Sequence, residues 1–241
     1  MADTIRINKF FTEHGICSRR EADRLIESGR ITINDRVAVL GDRVSRTDVI
    51  ARDGQAIPWV TAPIYIAYHK PVGVTTTSES HVPRNIIAEI GHSERIFPIG
   101  RLDKDSSGLI LLTNDGDIVN EILRTEHGHE REYDVVVDRL FDQAFLDRMA
   151  QGVVILDSPT KPCRMHRQGP TQFRITLTEG RNRQIRRMCQ ALGYRVVSLH
   201  RVRIMHLTIV GLSVGQWRSL TDQECLELFR AVGRQVDEGV E

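Results

Sequence analysis

Cysteine and long apolar runs are scarce in this 241-residue chain, and each scarcity excludes a class of protein. The four cysteines are widely separated and form no C-x-x-C pair: Cys17, Cys163, Cys189 and Cys225. This spacing predicts a reduced, cytoplasmic protein with neither a disulfide framework nor a zinc site. No apolar run approaches the roughly 20 residues of a membrane helix. The first residues lack the apolar core of a signal peptide, so we expect neither a membrane span nor a secretion signal.

Acidic residues are almost missing from one stretch, although the formal net charge of the chain is only +1. Between Pro159 and His206 the one acid is Glu179, and the basic residues are Lys161, Arg164, Arg167, Arg174, Arg181, Arg183, Arg186, Arg187, Arg195, Arg201 and Arg203. Because arginine offers a two-pronged donor to phosphate oxygens, this stretch predicts polyanion binding. A solvated basic face is the alternative.

The first sixty residues have the pattern of a small separate module. Ile7, Phe10 and Phe11 have helical spacing, and a second helix begins at the capping box Ser18-Arg19-Arg20-Glu21 and stops at Gly29. The short apolar runs around Asn34-Asp35 predict a hairpin.

This module resembles the S4 RNA-binding domain in a fixed order of residues. The matching features are Arg6-x-x-Lys9, the run Ser18 to Asp23, Gly29 and Ile33-Asn34. The resemblance implies RNA binding, and the residues that we expect to contact RNA here are Arg6, Lys9, Ser18, Arg19 and Arg20.

The rest of the chain predicts a mixed α+β domain with a mostly antiparallel sheet. A linker is expected over 53–63, where Gly54, Pro58 and Pro63 break any periodicity. Seven strand-like runs follow, at 64–69, 74–76, 95–99, 109–113, 132–137, 173–178 and 195–202. Helical patterns lie between them at 117–124, 142–151 and 182–192, and a last helix follows the capping box that begins at Thr221. We therefore expect an S4-like domain over 1–60, a second domain over 61–233 and a short acidic tail over 234–241.

The loop Gly100 to Gly108 is the first candidate site, because two strand-like runs flank a polar segment of unusual charge density. It carries Asp103 and Asp105 together with Arg101 and Lys104. A solvated, salt-bridged turn is the alternative. Calcium binding is excluded, because Asn114 stands where the loop of an EF-hand needs a glutamate.

Two further segments carry candidate residues. In the helix after Gly180, the apolar stripe Ile185, Met188, Cys189 and Leu192 places Arg186 on its flank, while Arg183 and Arg187 point away. Tyr133 alternates with Val135 and Val137 as in a strand, so a core-facing ring is its simpler interpretation. His127 and His129 lack a third ligand and predict a loop rather than a metal site.

Together these motifs resemble the RsuA/RluB/RluE/RluF family of ribosomal RNA pseudouridine synthases, and most closely its large-subunit (23S) members. The matching stretches are Phe97 to Ser106, the Tyr133 strand and Asn182 to Cys189. The resemblance covers about Ile5 to Val232. It implies the isomerisation of a uridine to pseudouridine in RNA, by a protein that needs no cofactor.

The resemblance also assigns roles to individual residues. It implies that Asp103 is the catalytic carboxylate, that Arg186 pairs with it, and that Tyr133 stacks on the uracil. Leu199 packs beneath the site, and Arg101 fills the gap left by the flipped base. Phosphate contacts are expected from Arg101, Arg181, Arg183 and Arg187. We expect a monomer; activity on transfer RNA and a non-catalytic RNA-binding protein are the alternatives.

Overall fold

The structure is a computed structural model, and it describes residues 4–59, 62–124 and 128–234. The chain divides into two compact units. One unit consists of residues 1–64, 92–96 and 113–116, and the other consists of 65–91, 97–112 and 117–241. The two short returns of the chain to the first unit could not be anticipated from the sequence. The acidic tail expected at 234–241 lies outside the described residues except for Arg234, and so does His127.

The first unit combines two helices with short strands. Its elements are β1 (Ile5–Arg6), α1 (Ile7–Glu13), α2 (Arg19–Glu27), β2 (Ile31–Ile33), β3 (Arg36–Val37), β4 (Arg43–Val44), β5 (Ile50–Arg52) and β6 (Gln55–Ile57). The order of strands in its larger sheet is β3-β2-β5-β6, and β1 pairs with β4. The side chain of Ser18 accepts a hydrogen bond from the backbone of Glu21, which begins α2 as predicted. The buried core includes Phe10, Phe11 and Leu25.

The linker expected at 53–63 is wrong in its first half. Asp53 and Gly54 have φ values of 50° and 77° and form the turn of a hairpin between β5 and β6. An Asp-Gly pair suits this two-residue turn, because both positions need a left-handed backbone. Gly54 was expected only to break periodicity, whereas it is the second residue of a hairpin turn.

The second unit is built on one large sheet. Its helices are α3 (Ile86–Ile90), α4 (Gly116–Leu123), α5 (Gln143–Gln151), α6 (Gln184–Ala191) and α7 (Asp222–Ala231). Its strands are β7 (Tyr65–Lys70), β8 (Phe97–Ile99), β9 (Ser107–Thr113), β10 (Arg131–Val137), β11 (Val154–Ile155), β12 (Ser158–Pro159), β13 (Arg164–Arg167), β14 (Gln172–Leu177), β15 (Val196–Ile204), β16 (Leu207–Thr208) and β17 (Trp217–Ser219).

The large sheet has the order β13-β14-β10-β15-β9-β7-β17, with β16 beside β15 and β8 beside β9. The neighbours of β10 are antiparallel to it, whereas β15 and β9 run parallel. The predicted α+β class with a mostly antiparallel sheet is therefore confirmed. The strand expected at 74–76 is wrong, because this segment makes only one isolated bridge, between Thr75 and Asn85.

Two buried clusters flank the sheet of the second unit. One contains the apolar stripe of α6, including Ile185, Met188 and Cys189, against Val135 and Phe173 of the sheet. The other joins α4 and α7 to β7 and β9. The helical stripe predicted for α6 is therefore the face that this helix buries, and it fixes the arginines of the helix relative to the sheet. Within the described residues, no helix has both the length and the apolar character that crossing a bilayer requires.

Candidate active site

The loop between β8 and β9 is held at several points by the rest of the second unit. The Thr76 hydroxyl donates to the carbonyl of Leu102 at 2.8 Å, and the Leu102 side chain is buried. The loop ends at Gly108 (φ 113°), where a Cβ atom would collide with the backbone of Arg201 on β15. Glycine is required there because two strand backbones approach too closely for a side chain. The charged loop is therefore a fixed structure.

Asp103 lies on this loop between two guanidinium groups. Its Oδ2 is 3.3 Å from Nη1 of Arg183 and 4.0 Å from Nε of Arg186, and about a quarter of its side chain is exposed. Both guanidinium groups are therefore within ion-pairing distance of this carboxylate. The pairing predicted between Asp103 and Arg186 is present, but the closer cation is Arg183.

Arg183 occupies a place that helical periodicity could not predict. It is the N-cap of α6 and has a left-handed backbone (φ 49°). Because it precedes the first helical residue, helical periodicity does not give the direction of its side chain. Its guanidinium donates two hydrogen bonds to Asp105, at 3.2 and 3.1 Å, in addition to its contact with Asp103. Arg183 was expected to point away from the apolar stripe towards solvent or phosphate; its side chain is 42% exposed, and it also pairs with both carboxylates of the loop. The Arg183 guanidinium also holds the pKa of Asp105 below its usual value.

Arg186 reaches the same loop from the first turns of α6. Its Nη2 donates to the Asp105 carbonyl at 2.9 Å and to the Ser106 hydroxyl at 3.1 Å, and its side chain is only 12% exposed. Its Nε is buried without a hydrogen-bond partner and faces Asp103. Asp105 therefore joins both arginines to the loop.

A cavity of about 430 Å³ opens beside Asp103. This volume lies within the range of small-molecule sites. Tyr133 lines it from β10, and Leu199, which is 7% exposed, lines it from β15. Arg101 is exposed and also lines it. The structure thus brings Asp103, Tyr133, Leu199 and Arg101 to one cavity, with Arg186 behind Asp103.

Two buried cations in this region are not among the residues predicted from the sequence. Arg201 lines the cavity and is 3% exposed. It lies two residues after Leu199 in the same strand, so strand alternation from Leu199 was a signal that could have found it. Lys70 is fully buried at the end of β7 and donates to the carbonyls of Pro71 and Val74, each at 2.9 Å. Burial lowers the pKa of Lys70 to about 8.

Several arginines of the basic stretch between Pro159 and His206 form ion pairs within the fold. Three of its arginines pair with acids of β10 or the residue before it: Arg164 with Glu130 at 2.7 Å, Arg174 with Asp134 at 2.7 Å, and Arg203 with Glu130 and Glu132 at 3.0 and 3.2 Å. These acids precede the stretch in sequence but neighbour it in the sheet. These three arginines are therefore neutralised by neighbouring acids, and the polyanion binding predicted for the stretch stays a prediction.

The remaining expected RNA contacts are placed as follows. Arg181 donates to the carbonyls of Ile155, Ser158 and Pro159, so it holds the β11–β12 hairpin. Arg187 donates to the carbonyl and side chain of Asn182. Of the RNA contacts expected in the first unit, Arg6, Ser18, Arg19 and Arg20 are exposed and Lys9 is half-buried.

Two family models match the chain. The S4 domain matches residues 5–50, and RNA pseudouridylate synthase matches residues 64–191. The first match confirms the S4 resemblance of the first unit. The second spans the loop of Asp103, the strand of Tyr133 and all of α6.

Individual relatives cover most of the chain. Dual-specificity RNA pseudouridine synthase RluF of Escherichia coli (strain K12) is 49% identical over 231 residues, which are 95% of this chain and 80% of the relative. Ribosomal large subunit pseudouridine synthase B of Bacillus subtilis (strain 168) is 32% identical and covers 92% of this chain and 95% of its own. A crystal structure of a pseudouridylate synthase is 28% identical, with a TM-score of 0.69, over 93% of this chain and 99% of that one.

Proposed function

The chain belongs to the RNA pseudouridine synthase family, and from this premise we propose that it isomerises one uridine of large-subunit (23S) ribosomal RNA with Asp103 as the catalytic carboxylate. The observation that carries the assignment is the placement of Asp103. Its carboxylate lies at a cavity of nucleoside size, and Arg183 and Arg186 are within 4.0 Å of it.

The chemistry requires a carboxylate beside the ribose of a flipped nucleotide. The N1–C1′ bond of uridine breaks, the base turns over, and a C5–C1′ bond forms. Asp103 either attacks C1′ or removes the 2′ proton, and both roles need its ionised form. Arg183 and Arg186 place two positive charges beside this carboxylate. Tyr133 offers a ring on which the uracil can stack, and Leu199 closes the cavity beneath it.

The RNA target is supported by the motifs of the loop and α6 and by relatives. The relative from Bacillus subtilis is named for the large ribosomal subunit, and the relative from Escherichia coli is named as having dual specificity. RNA enzymes of this kind act on uridines in loops, whose bases can be splayed out. The proposal places this reaction in the cytoplasm with the chain as a monomer. The four free cysteines suit a reducing compartment.

The first test maps pseudouridine in ribosomal and transfer RNA from cells that lack the gene. We expect one site in 23S RNA to disappear, wild-type protein to restore it, and Asp103→Asn to leave it absent. Rescue by Asp103→Asn would overturn the catalytic assignment. A missing site only in transfer RNA would replace the target, and no missing site would favour a non-catalytic binding protein.

Asp105→Asn is the matched control for this test. It makes the same chemical change two residues away, in the same loop and beside the same two arginines. We expect it to restore the modified site, with an initial rate reduced by roughly tenfold or less, because Asp105 holds the arginines but does not line the cavity. Equal loss in both variants would show that the loop structure, and not the Asp103 carboxylate, was being tested.

A further inference from the structure

Arg201 is a buried cation in the wall of the active-site cavity, and the reaction as described so far gives it no role. It lies on β15 directly opposite Tyr133 of β10, so the two side chains share one face of the sheet. Its Cζ is 6.0 Å from the centroid of the Tyr133 ring. Whatever stacks against Tyr133 is therefore within reach of the Arg201 guanidinium.

The guanidinium of Arg201 is incompletely paired. Its Nε donates to the carbonyl of Leu109 at 2.6 Å, while its Nη2 is buried without a hydrogen-bond partner. The residue is 3% exposed and lines the cavity, so a molecule bound there can supply the missing partner. A buried donor on a charged group is costly to leave unsatisfied, and such groups are rare except where a ligand completes them.

The charge of Arg201 is also uncompensated in the part of the chain that the structure describes. No carboxylate there forms an ion pair with it, and Asp103 is already engaged by Arg183 and Arg186. Lys70 is buried nearby and adds positive charge. The charged side chains that line the cavity are five arginines against Asp103 and Glu179, which fits a ligand that gains negative charge there.

We propose that Nη2 of Arg201 donates a hydrogen bond to a carbonyl oxygen of the flipped uracil and stabilises the negative charge that develops on the base. This inference rests on the proposed function. When the N1–C1′ bond breaks, its electron pair stays on N1 and spreads onto O2 and O4. The uracil anion then bonds to C1′ through C5, while Asp103 leaves C1′ or returns the 2′ proton, according to the role it took. The C5 proton passes to solvent and N1 takes a proton from solvent, so atoms and charges balance over the reaction.

A phosphate is a poorer match for this position than the base. The cavity is about 430 Å³ and ends against Leu199 and Tyr133, an apolar side chain and an aromatic ring that suit a base. Phosphates belong to the RNA backbone, which the exposed arginines outside the cavity can hold. A uracil stacked on Tyr133 therefore presents its carbonyl oxygens, O2 and O4, near the Arg201 guanidinium.

The test combines a substitution of Arg201 with the replacement of a uracil carbonyl oxygen by sulfur in the substrate. Single-turnover rates are measured for wild type and Arg201→Met on an RNA oligonucleotide that carries the mapped uridine, and on the same RNA with 2-thiouridine or 4-thiouridine there. We expect Arg201→Met to lose about 10²–10³-fold on uridine, the cost of removing one donor from a site of developing negative charge. The loss should shrink to less than about threefold for one of the two thio analogues, because sulfur is a poor acceptor.

The controls separate this role from a structural one. Arg218→Met makes the same change in the same sheet, but Arg218 pairs with Glu224 and does not line the cavity; we expect its rate to be close to wild type. If Arg201→Met does not fold, Arg201→Lys enters the same comparison. An equal loss on all three RNAs would overturn the proposal while leaving the proposed function intact, and a wild-type protein inactive on the uridine RNA would instead overturn the proposed function.

Discussion

At the scale of single residues, the site depends on how a few charges are held. Asp103 and Asp105 share two arginines, and only Asp103 also lines the cavity. Arg183 contributes to this arrangement from a left-handed backbone, a conformation that is costly for any residue with a Cβ atom. Such strain persists where surrounding interactions impose it, and here the bidentate contact with Asp105 is the interaction that does so.

Comparing Arg183→Gly with Arg183→Met separates the backbone of this residue from its side chain. Both variants lose the contacts with Asp103 and Asp105, so we expect turnover of the RNA to fall by a similar factor, about tenfold or more. Glycine accepts a positive φ, so Arg183→Gly should unfold with a free energy about 0.5–1 kcal/mol higher than Arg183→Met. Denaturant titration measures this difference. A glycine variant less stable than the methionine variant would show that the backbone at this position is not strained.

At the scale of secondary-structure elements, the site is assembled where β9 and β15 run side by side. This parallel pair matches Gly108 with Arg201 and Ser107 with His200. The end of the charged loop and the buried guanidinium are therefore fixed by one backbone contact. The helix α6 brings Arg183 and Arg186 to the same point, because its apolar stripe is buried against the sheet.

Gly108→Ala should disrupt this junction. Its Cβ would collide with the backbone of Arg201, and its φ of 113° is poorly tolerated by alanine. We expect the free energy of unfolding to drop by roughly 3 kcal/mol and activity to fall, since the Asp103 loop must shift. Gly193→Ala is the matched control: Gly193 also has a positive φ (86°), but no atom lies within 4 Å of the added Cβ. Chemical denaturation should show a loss near 1 kcal/mol for the control, and equal losses would argue against the collision.

At the scale of the whole molecule, some of the cations expected to contact RNA are exposed, whereas others are paired with acids of the fold. Arg19 and Arg20 are exposed on the S4-like unit, whereas Arg174 is held by Asp134 through two hydrogen bonds. Affinity for RNA should therefore depend on which arginines are exposed and unpaired, and not on the number of arginines in a segment.

Salt dependence of RNA binding tests this division. The logarithm of the affinity should fall linearly with the logarithm of salt concentration, by about 0.7 for each phosphate contact. Replacing Arg19 and Arg20 together by glutamine should reduce this slope by about 1.4, whereas Arg174→Gln should leave it unchanged. Filter binding across a salt series measures both. An unaltered slope in the double variant would remove these two residues from the phosphate contacts.

The sequence by itself determined the S4-like module, the α+β class, the charged loop of Asp103 and the buried face of α6. Each of these depends on local order or periodicity, which a single strand or helix imposes on its own residues. Only the tertiary structure decided which arginines meet which acids. Arg183 is an N-cap and does not follow the helical pattern. Acids at 130–134 pair with basic residues 30 or more positions later in the sequence. Arg201 is buried beside Tyr133. Sheet pairing brings distant residues together, and no local pattern records that pairing.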